Sequence, residues 1–219
     1  MTDILLISDP SVLAVPIKEN GEPMVDLLKI QELFVDLSRD NVQTLSKSIS
    51  IARKTVADML VVAQRNLPPG YKLMVKECHR DIGTQKKIFE NYRAYLKKEN
   101  HKLSDEELYR EASKYVAPPE IVPPHSTGGA VDLTLMTNKG KEIDMGTRFN
   151  ADPLESDFSN YTGAEVPVVT KDRRKILIDA MEAAGFVNYP TEWWHWSYGD
   201  RYWAKIKGEP FAIYGTAEV

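Results

Sequence analysis

Histidine is scarce in this chain, at four positions: His79, His101, His125 and His195. A catalytic zinc site takes three protein ligands from His, Asp, Glu or Cys and leaves one position open for water. The run Pro124-His-Ser-Thr-Gly-Gly-Ala-Val-Asp132 sets a histidine seven residues before an aspartate. In a straight strand that odd spacing puts the two on opposite faces. Gly128 and Gly129 remove the objection, because glycine lets the backbone turn back and bring both side chains to one point. Asp132 opens the apolar run Leu133-Thr-Leu135, so its carboxylate is expected to be largely buried. Burying a charge without a cation or donors is expensive, and metal coordination is one standard solution. A second cluster, Glu192-Trp-Trp-His195-Trp, surrounds a carboxylate and an imidazole with aromatic rings. Such an apolar wall favours a raised Glu192 pKa, suited to a base that takes a proton near neutrality. The plainer alternatives are a loop histidine with a capping aspartate, and an aromatic core strand with two polar neighbours.

The elements that must position these residues read as follows. Ile4 to Ile7 predicts a short strand closed by Asp9-Pro10, and residues 11–23 a loop or extended arm. Apolar residues from Ile49 to Ala63 recur at helical spacing, which predicts a helix over about Leu45 to Gln64 that Pro68-Pro69-Gly70 stops. Tyr71 to Cys78 alternates and predicts a strand with one wet face. Helices are expected over about Ile82 to Leu96 and over 105–116, the latter opened by a Ser104/Glu107 capping box. The proline pairs 118–119 and 123–124 predict an extended segment, and Ala130 to Leu135 a buried strand. Residues 146–170 carry little periodicity and predict a long loop, itself a hint of function. A last helix over about 171–184 ends at Gly185, with strand-like residues 186–198 beyond it. Strands and helices do not alternate regularly, so the expected class is α+β, a single domain over 1–219.

Taken together, His-x-x-x-Gly-Ala-x-Asp at 125–132 and Glu-x-Trp-His at 192–195 resemble the zinc peptidases that include the D-alanyl-D-alanine dipeptidases and D,D-carboxypeptidases. Arg80 at a strand end, Asp132-Leu-Thr-Leu135 and Met145-Gly-Thr-Arg-Phe149 point to the dipeptidase branch, and the likeness covers roughly residues 70–200. The resemblance implies a small antiparallel sheet that carries a zinc site and is covered by helices. It implies His125, Asp132 and His195 as zinc ligands and Glu192 as general base. Arg80, which cannot deprotonate, would stabilise the oxyanion of the tetrahedral intermediate. Zinc-bound water would attack the carbonyl of a small peptide substrate, D-Ala-D-Ala or a closely related cell-wall (peptidoglycan) dipeptide. Asn150, Ser126 and Trp194 would contact that substrate. The chain departs from the pattern at Asn150, which is neutral where the dipeptidases usually carry the aspartate that captures the substrate's ammonium. Either Asp152, Glu155 or Asp157 takes over that task, or the substrate's N-terminus differs. Pro123 stands where serine is common and Thr127 where arginine is usual. All three departures touch substrate recognition and leave the metal ligands intact.

The bulk figures agree with a hydrolase of small molecules. A net charge of −4 gives no general basic field for nucleic acid. No stretch approaches the roughly 20 apolar residues of a membrane span, and the first ten residues carry no cationic, apolar leader pattern. One cysteine, Cys78, excludes an internal disulfide and fits a reducing, cytoplasmic location. His79 and Cys78 are expected to be structural, and His101 solvated. Two rival functions stay open: a D,D-carboxypeptidase or L,D-endopeptidase acting on longer peptidoglycan peptides, and a non-catalytic zinc module that binds peptidoglycan fragments.

Overall fold

The computed structural model describes residues 4–38 and 48–219. Its centre is a four-stranded antiparallel sheet, of which β4 (Ala130–Thr137) is the axis. β3 (Tyr71–Glu77) lies on one side of it, and β6 (His195–Ser197) and then β5 (Val187–Asn188) on the other. The register puts Asp132 opposite Glu77 on β3 and opposite His195 on β6, so three polar side chains form a row across one end of the sheet. A register shift between Val75 and Glu77 sets the end of β3, which is what a bulge does when it re-aims side chains.

The remaining elements are α1 (Pro10–Leu13), β1 (Met24–Asp26), β2 (Ile51–Arg53), α2 (Lys54–Asn66), α3 (Ile82–Glu99), α4 (Asp105–Ala112), α5 (Val168–Ala183) and α6 (Arg201–Lys207). Val56 and Leu60 of α2 and Leu177 and Met181 of α5 join Leu73, Val75, Leu133 and Leu135 of the sheet in one core with Trp193, Trp194 and Trp196. Phe89, Leu96, Leu108 and Ala112 bind α3 to α4 in a smaller cluster. The α+β class, with small antiparallel sheets packed by helices, is as expected. Among the described residues no helix is long and apolar enough to cross a membrane.

Several expected elements take another form. Ile4 to Ile7 does not pair as a strand; Asp9 instead accepts the Ser11 amide at 2.7 Å as N-cap of α1, with Pro10 at the first helical position. Asp-Pro reads as a strand stop in sequence, and the same two residues are a good helix start. The helix expected over 45–64 begins only at Lys54, because Ile51–Arg53 pairs with β1 and Arg53 is drawn inward. Its guanidinium donates to the Thr127 carbonyl and to Glu19. Residues 45–47 lie outside the described residues. β3 has no wet face beyond its first turn: Lys76 is buried, its Nζ held by Asp36 at 2.8 Å and Glu142 at 2.7 Å. The proline pairs open two short 3-10 turns, Pro119–Ile121 and Pro124–Thr127, in place of a purely extended segment. Residues 186–198 split into β5, a turn and β6. The Ser104/Glu107 capping box forms as expected, and Gly185 follows α5 with φ +102°.

Candidate metal centre and active site

His125 sits in the 3-10 turn 124–127, which Gly128 ends with a φ of +72°. Neither glycine of the pair tolerates a side chain. A Cβ on Gly128 would collide with the Met24 side chain, and one on Gly129 with the Tyr198 carbonyl oxygen. The turn folds His125 back over the start of β4, so that it meets Asp132 despite the odd spacing. His125 Nε2 lies 3.4 Å from Asp132 Oδ1 and 3.2 Å from His195 Nδ1. His195 Nδ1 lies 3.0 Å from the same carboxylate oxygen.

The three donor atoms lie within 4.8 Å of one another and all three residues are buried. His125 Nδ1 is 2.7 Å from the Cys78 carbonyl oxygen, which only accepts, so Nδ1 carries the hydrogen. That leaves the Nε2 lone pair of the neutral ring for a metal, the usual outer support of a ligating histidine. Two imidazoles and one carboxylate are a donor set suited to zinc. Carboxylates outnumber the guanidinium here, with Glu77, Asp132 and Glu192 around Arg80, so a divalent cation also fits the local charge.

Titration behaviour follows the same contacts. Burial disfavours the Asp132 carboxylate, yet the charge and hydrogen bonds of His125 and His195 overcome it and hold its pKa well below the ordinary range. Burial opposes protonation of His125, but Asp132 leaves its pKa raised. Glu192 goes the other way: burial, aided by the Asp132 charge, pushes it up to about 7 against the pull of His195 and Arg80. Glu192 Oε2 stands 3.9 Å from His195 Nδ1. It reaches that place on the turn between β5 and β6, where its amide donates to the Tyr189 carbonyl and its carbonyl accepts from His195. Burial and the neighbouring Asp132 and Glu77 push the Cys78 thiol well up, as expected of an inert thiol.

Arg80 leaves the end of β3 and is clamped. Its Nε and Nη2 donate to the two oxygens of buried Glu77 at 2.8 and 2.5 Å, and its Nη1 donates to Gln85 Oε1 at 2.9 Å. Burial works against the cation, but Glu77, Asp132 and Glu192 raise its pKa. It lines, with His125, Asp132, Asn150, Glu192 and Trp194, an inner cavity of about 80 Å³. A second cavity of about 580 Å³ adjoins it through Asn150, Tyr115 and Glu192, and Asp152 and Glu155 stand in its wall.

Of the residues named from sequence, Arg80, His125, Asp132, Asn150, Glu192, Trp194 and His195 converge on the inner cavity. Ser126 does not line it: the residue is fully buried and its hydroxyl donates to the Arg80 carbonyl at 2.7 Å. It ties the His125 turn to the Arg80 strand end. His79 is buried and structural, its ring 2.7 Å from Ser48 Oγ and 3.1 Å from the Ala217 carbonyl, while His101 is exposed. Sequence reasoning missed Glu77, Gln85 and Tyr189. Glu77 alone left a signal, as an acid three residues before Arg80 on an otherwise buried strand.

A family model described as D-Ala-D-Ala dipeptidase, of peptidase family M15, matches residues 38–209. The chain belongs to this family. It is therefore a metallopeptidase, and its chemistry is that of the M15 peptidases, metal-dependent enzymes of peptidoglycan peptides. Among relatives, a D-alanyl-D-alanine dipeptidase of Synechocystis sp. is 27% identical over 88% of either chain. That of Escherichia coli is 34% identical over 37% of this chain and 41% of its own. A solved LdcB LD-carboxypeptidase is 21% identical, with 94% of this chain and 85% of that one covered and a TM-score of 0.47.

Proposed function

We propose that this M15 peptidase is a zinc-dependent dipeptidase that hydrolyses D-Ala-D-Ala, or a closely related cell-wall dipeptide, to free amino acids. The observation that carries the proposal is the meeting of three metal-donor side chains with Glu192 and Arg80 around one cavity of about 80 Å³. The confinement of that space by Trp194 and Tyr189 favours a small substrate. His125, Asp132 and His195 would hold the ion. Zinc bound there supplies a Lewis acid for the scissile carbonyl and lowers the pKa of its water. Glu192 takes the proton of the attacking water and delivers it to the leaving amine, a task matched to a carboxylate that titrates near neutrality. Arg80 donates to the carbonyl oxygen as negative charge develops, and its clamp by Glu77 and Gln85 removes the need to reorganise. Asn150 and Trp194 shape the substrate's seat, with Ser126 holding the turn behind it. A cytoplasmic place of action rests on the single buried cysteine alone.

A second reading has its own observation. The adjoining cavity of about 580 Å³ gives room for further residues, which favours a D,D-carboxypeptidase or L,D-endopeptidase acting on longer stem peptides. Amino-acid release by zinc-loaded protein from D-Ala-D-Ala and from stem peptides, with Glu192→Ala as control, separates the two. Release from D-Ala-D-Ala that falls by about 10²–10⁴ in the variant, as loss of a general base does, is the expected result. Release from longer peptides alone moves the chain to the second reading. No release from either, with zinc bound, makes it a binding module.

A further inference from the structure

One wall of the inner cavity comes from a segment that carries none of the motif residues. Ile7, partly buried, lines that cavity together with Tyr189 and Glu192. It lies well before residue 38, where the family match begins. The segment is held on both sides by parts of the pocket itself. Leu5, Leu6 and Ile7 pack on Val12, Tyr189 and Tyr202, whose two tyrosine rings stand edge-on with centroids 5.3 Å apart. Ser8 Oγ donates to the carbonyl of Ser113, another residue of the cavity wall, at 3.0 Å. Asp9 then fixes the chain by capping α1. Tyr189 in turn sets its ring edge-on to His195, 6.0 Å between centroids. Ile7 is thus an anchored, apolar residue of the wall that the cavity shares with His195 and Glu192.

We propose that Ile7 is a specificity-determining residue, which limits the substrate to side chains about the size of a methyl group. This rests on the dipeptidase reading. In so confined a cavity the room left for a substrate side chain depends on the bulk of its wall residues, and Ile7 is one of the apolar ones, with Tyr189 and Trp194. A single methylene gained or lost in such an apolar pocket changes discrimination by about 10–200-fold. Ile7 can set that limit because its segment is pinned to Ser113 and Tyr189 and does not swing aside for a larger group.

The test compares the full chain with Ile7→Ala and Ile7→Trp on D-Ala-D-Ala, D-Leu-D-Ala and D-Ala-D-Leu. Turnover is read as kcat/KM, and binding of the same dipeptides to Glu192→Gln backgrounds is read by calorimetry. Thermal melts confirm that each variant folds. Ile7→Ala is expected to raise kcat/KM for a leucine-containing dipeptide, relative to D-Ala-D-Ala, by about tenfold or more. Ile7→Trp is expected to weaken even D-Ala-D-Ala. Unchanged ratios in a chain that cleaves D-Ala-D-Ala overturn the inference and leave the dipeptidase reading standing. If the unaltered chain cleaves none of the dipeptides, that reading fails, and unchanged relative affinities in the calorimetry then overturn the role of Ile7 as well.

Discussion

Asp132 and Glu192 are two carboxylates beside one imidazole, and burial has opposite outcomes for them. Asp132 Oδ1 stands 3.4 Å from His125 Nε2 and 3.0 Å from His195 Nδ1, and the two imidazoles hold its charged form although water is excluded. At Glu192 burial, with the Asp132 charge beside it, outweighs the pull of His195, Arg80 and the Trp194 hydrogen bond, so the neutral form gains. Two acids of nearly the same intrinsic strength thereby divide into an ion suited to a metal and a carboxyl group that titrates near neutrality. Arg80 completes the set, and its identity matters as much as its charge. A lysine cannot form the two-pronged pair with Glu77 and reach Gln85 as well. Arg80→Lys is therefore expected to lower kcat by about 10²–10³, the usual loss of one oxyanion donor, with metal content unchanged by elemental analysis. A loss of metal together with activity would assign Arg80 to holding the site together instead.

Arg174 is the side chain that ties most of the long loop between β4 and α5, alongside Trp193 on Thr147 and Asn160 on Thr191. Arg174 is buried in α5 and donates to the carbonyls of Met145 at 2.9 Å, Tyr161 at 2.7 Å and Ser159 at 2.6 Å. A loop of low periodicity is in this way made into a fixed wall that presents Asn150 to both cavities. Asn150 itself has a φ of +58°, a left-handed conformation that asparagine adopts more readily than most residues. Arg174→Met keeps the apolar stem but strands three carbonyls. At about 1–3 kcal/mol for each buried acceptor left unpaired, the variant should lose a large part of its stability in urea titration. KM for the dipeptide should rise more than kcat falls, because the loop shapes the substrate's seat and not the metal donors. A variant with unchanged urea midpoint would show that the loop holds itself.

At the scale of the whole molecule, a buried ion pair ties the segment before β2 to the sheet. Lys76 of β3 is held by Asp36 and Glu142, and Asp36 also accepts from Ser38. Burial of Asp36 raises its pKa, but the Lys76 and Ser38 hydrogen bonds outweigh that, and the net direction is down. With a folded pKa below the unfolded value of about 3.9, the carboxylate contributes stability above that value. The contribution is lost as pH falls through the folded pKa. Asp36→Asn is expected to lower the urea midpoint at neutral pH, and the gap to the unaltered protein should close progressively below about pH 4. A gap that persists undiminished at pH 2 would assign it to packing instead.

The sequence by itself singled out His125, Asp132 and His195 as candidate donors, with Glu192 and Arg80 beside them, and the fold brings all five to one cavity. Residue type carries that information: few side chains ligate a metal, and the glycine pair and the tryptophans state their constraints locally. It also determined α4 through its capping box, the end of α5 at Gly185 and the buried central strand, since these depend on neighbours in the chain. What lay beyond it were features decided by distant partners. Ile51–Arg53 scans as helix and becomes strand because β1 offers hydrogen bonds and Glu19 with Thr127 draw Arg53 inward. Lys76 reads as solvated and is buried because Asp36 and Glu142 meet it there. Ser126 reads as a substrate contact, yet its hydroxyl is spent on the Arg80 carbonyl. The row of Glu77, Asp132 and His195, and the wall that Ile7 adds, exist only once three strands and an N-terminal segment meet. No spacing along the chain encodes such a meeting, because register and docking are set by the packing of the whole core.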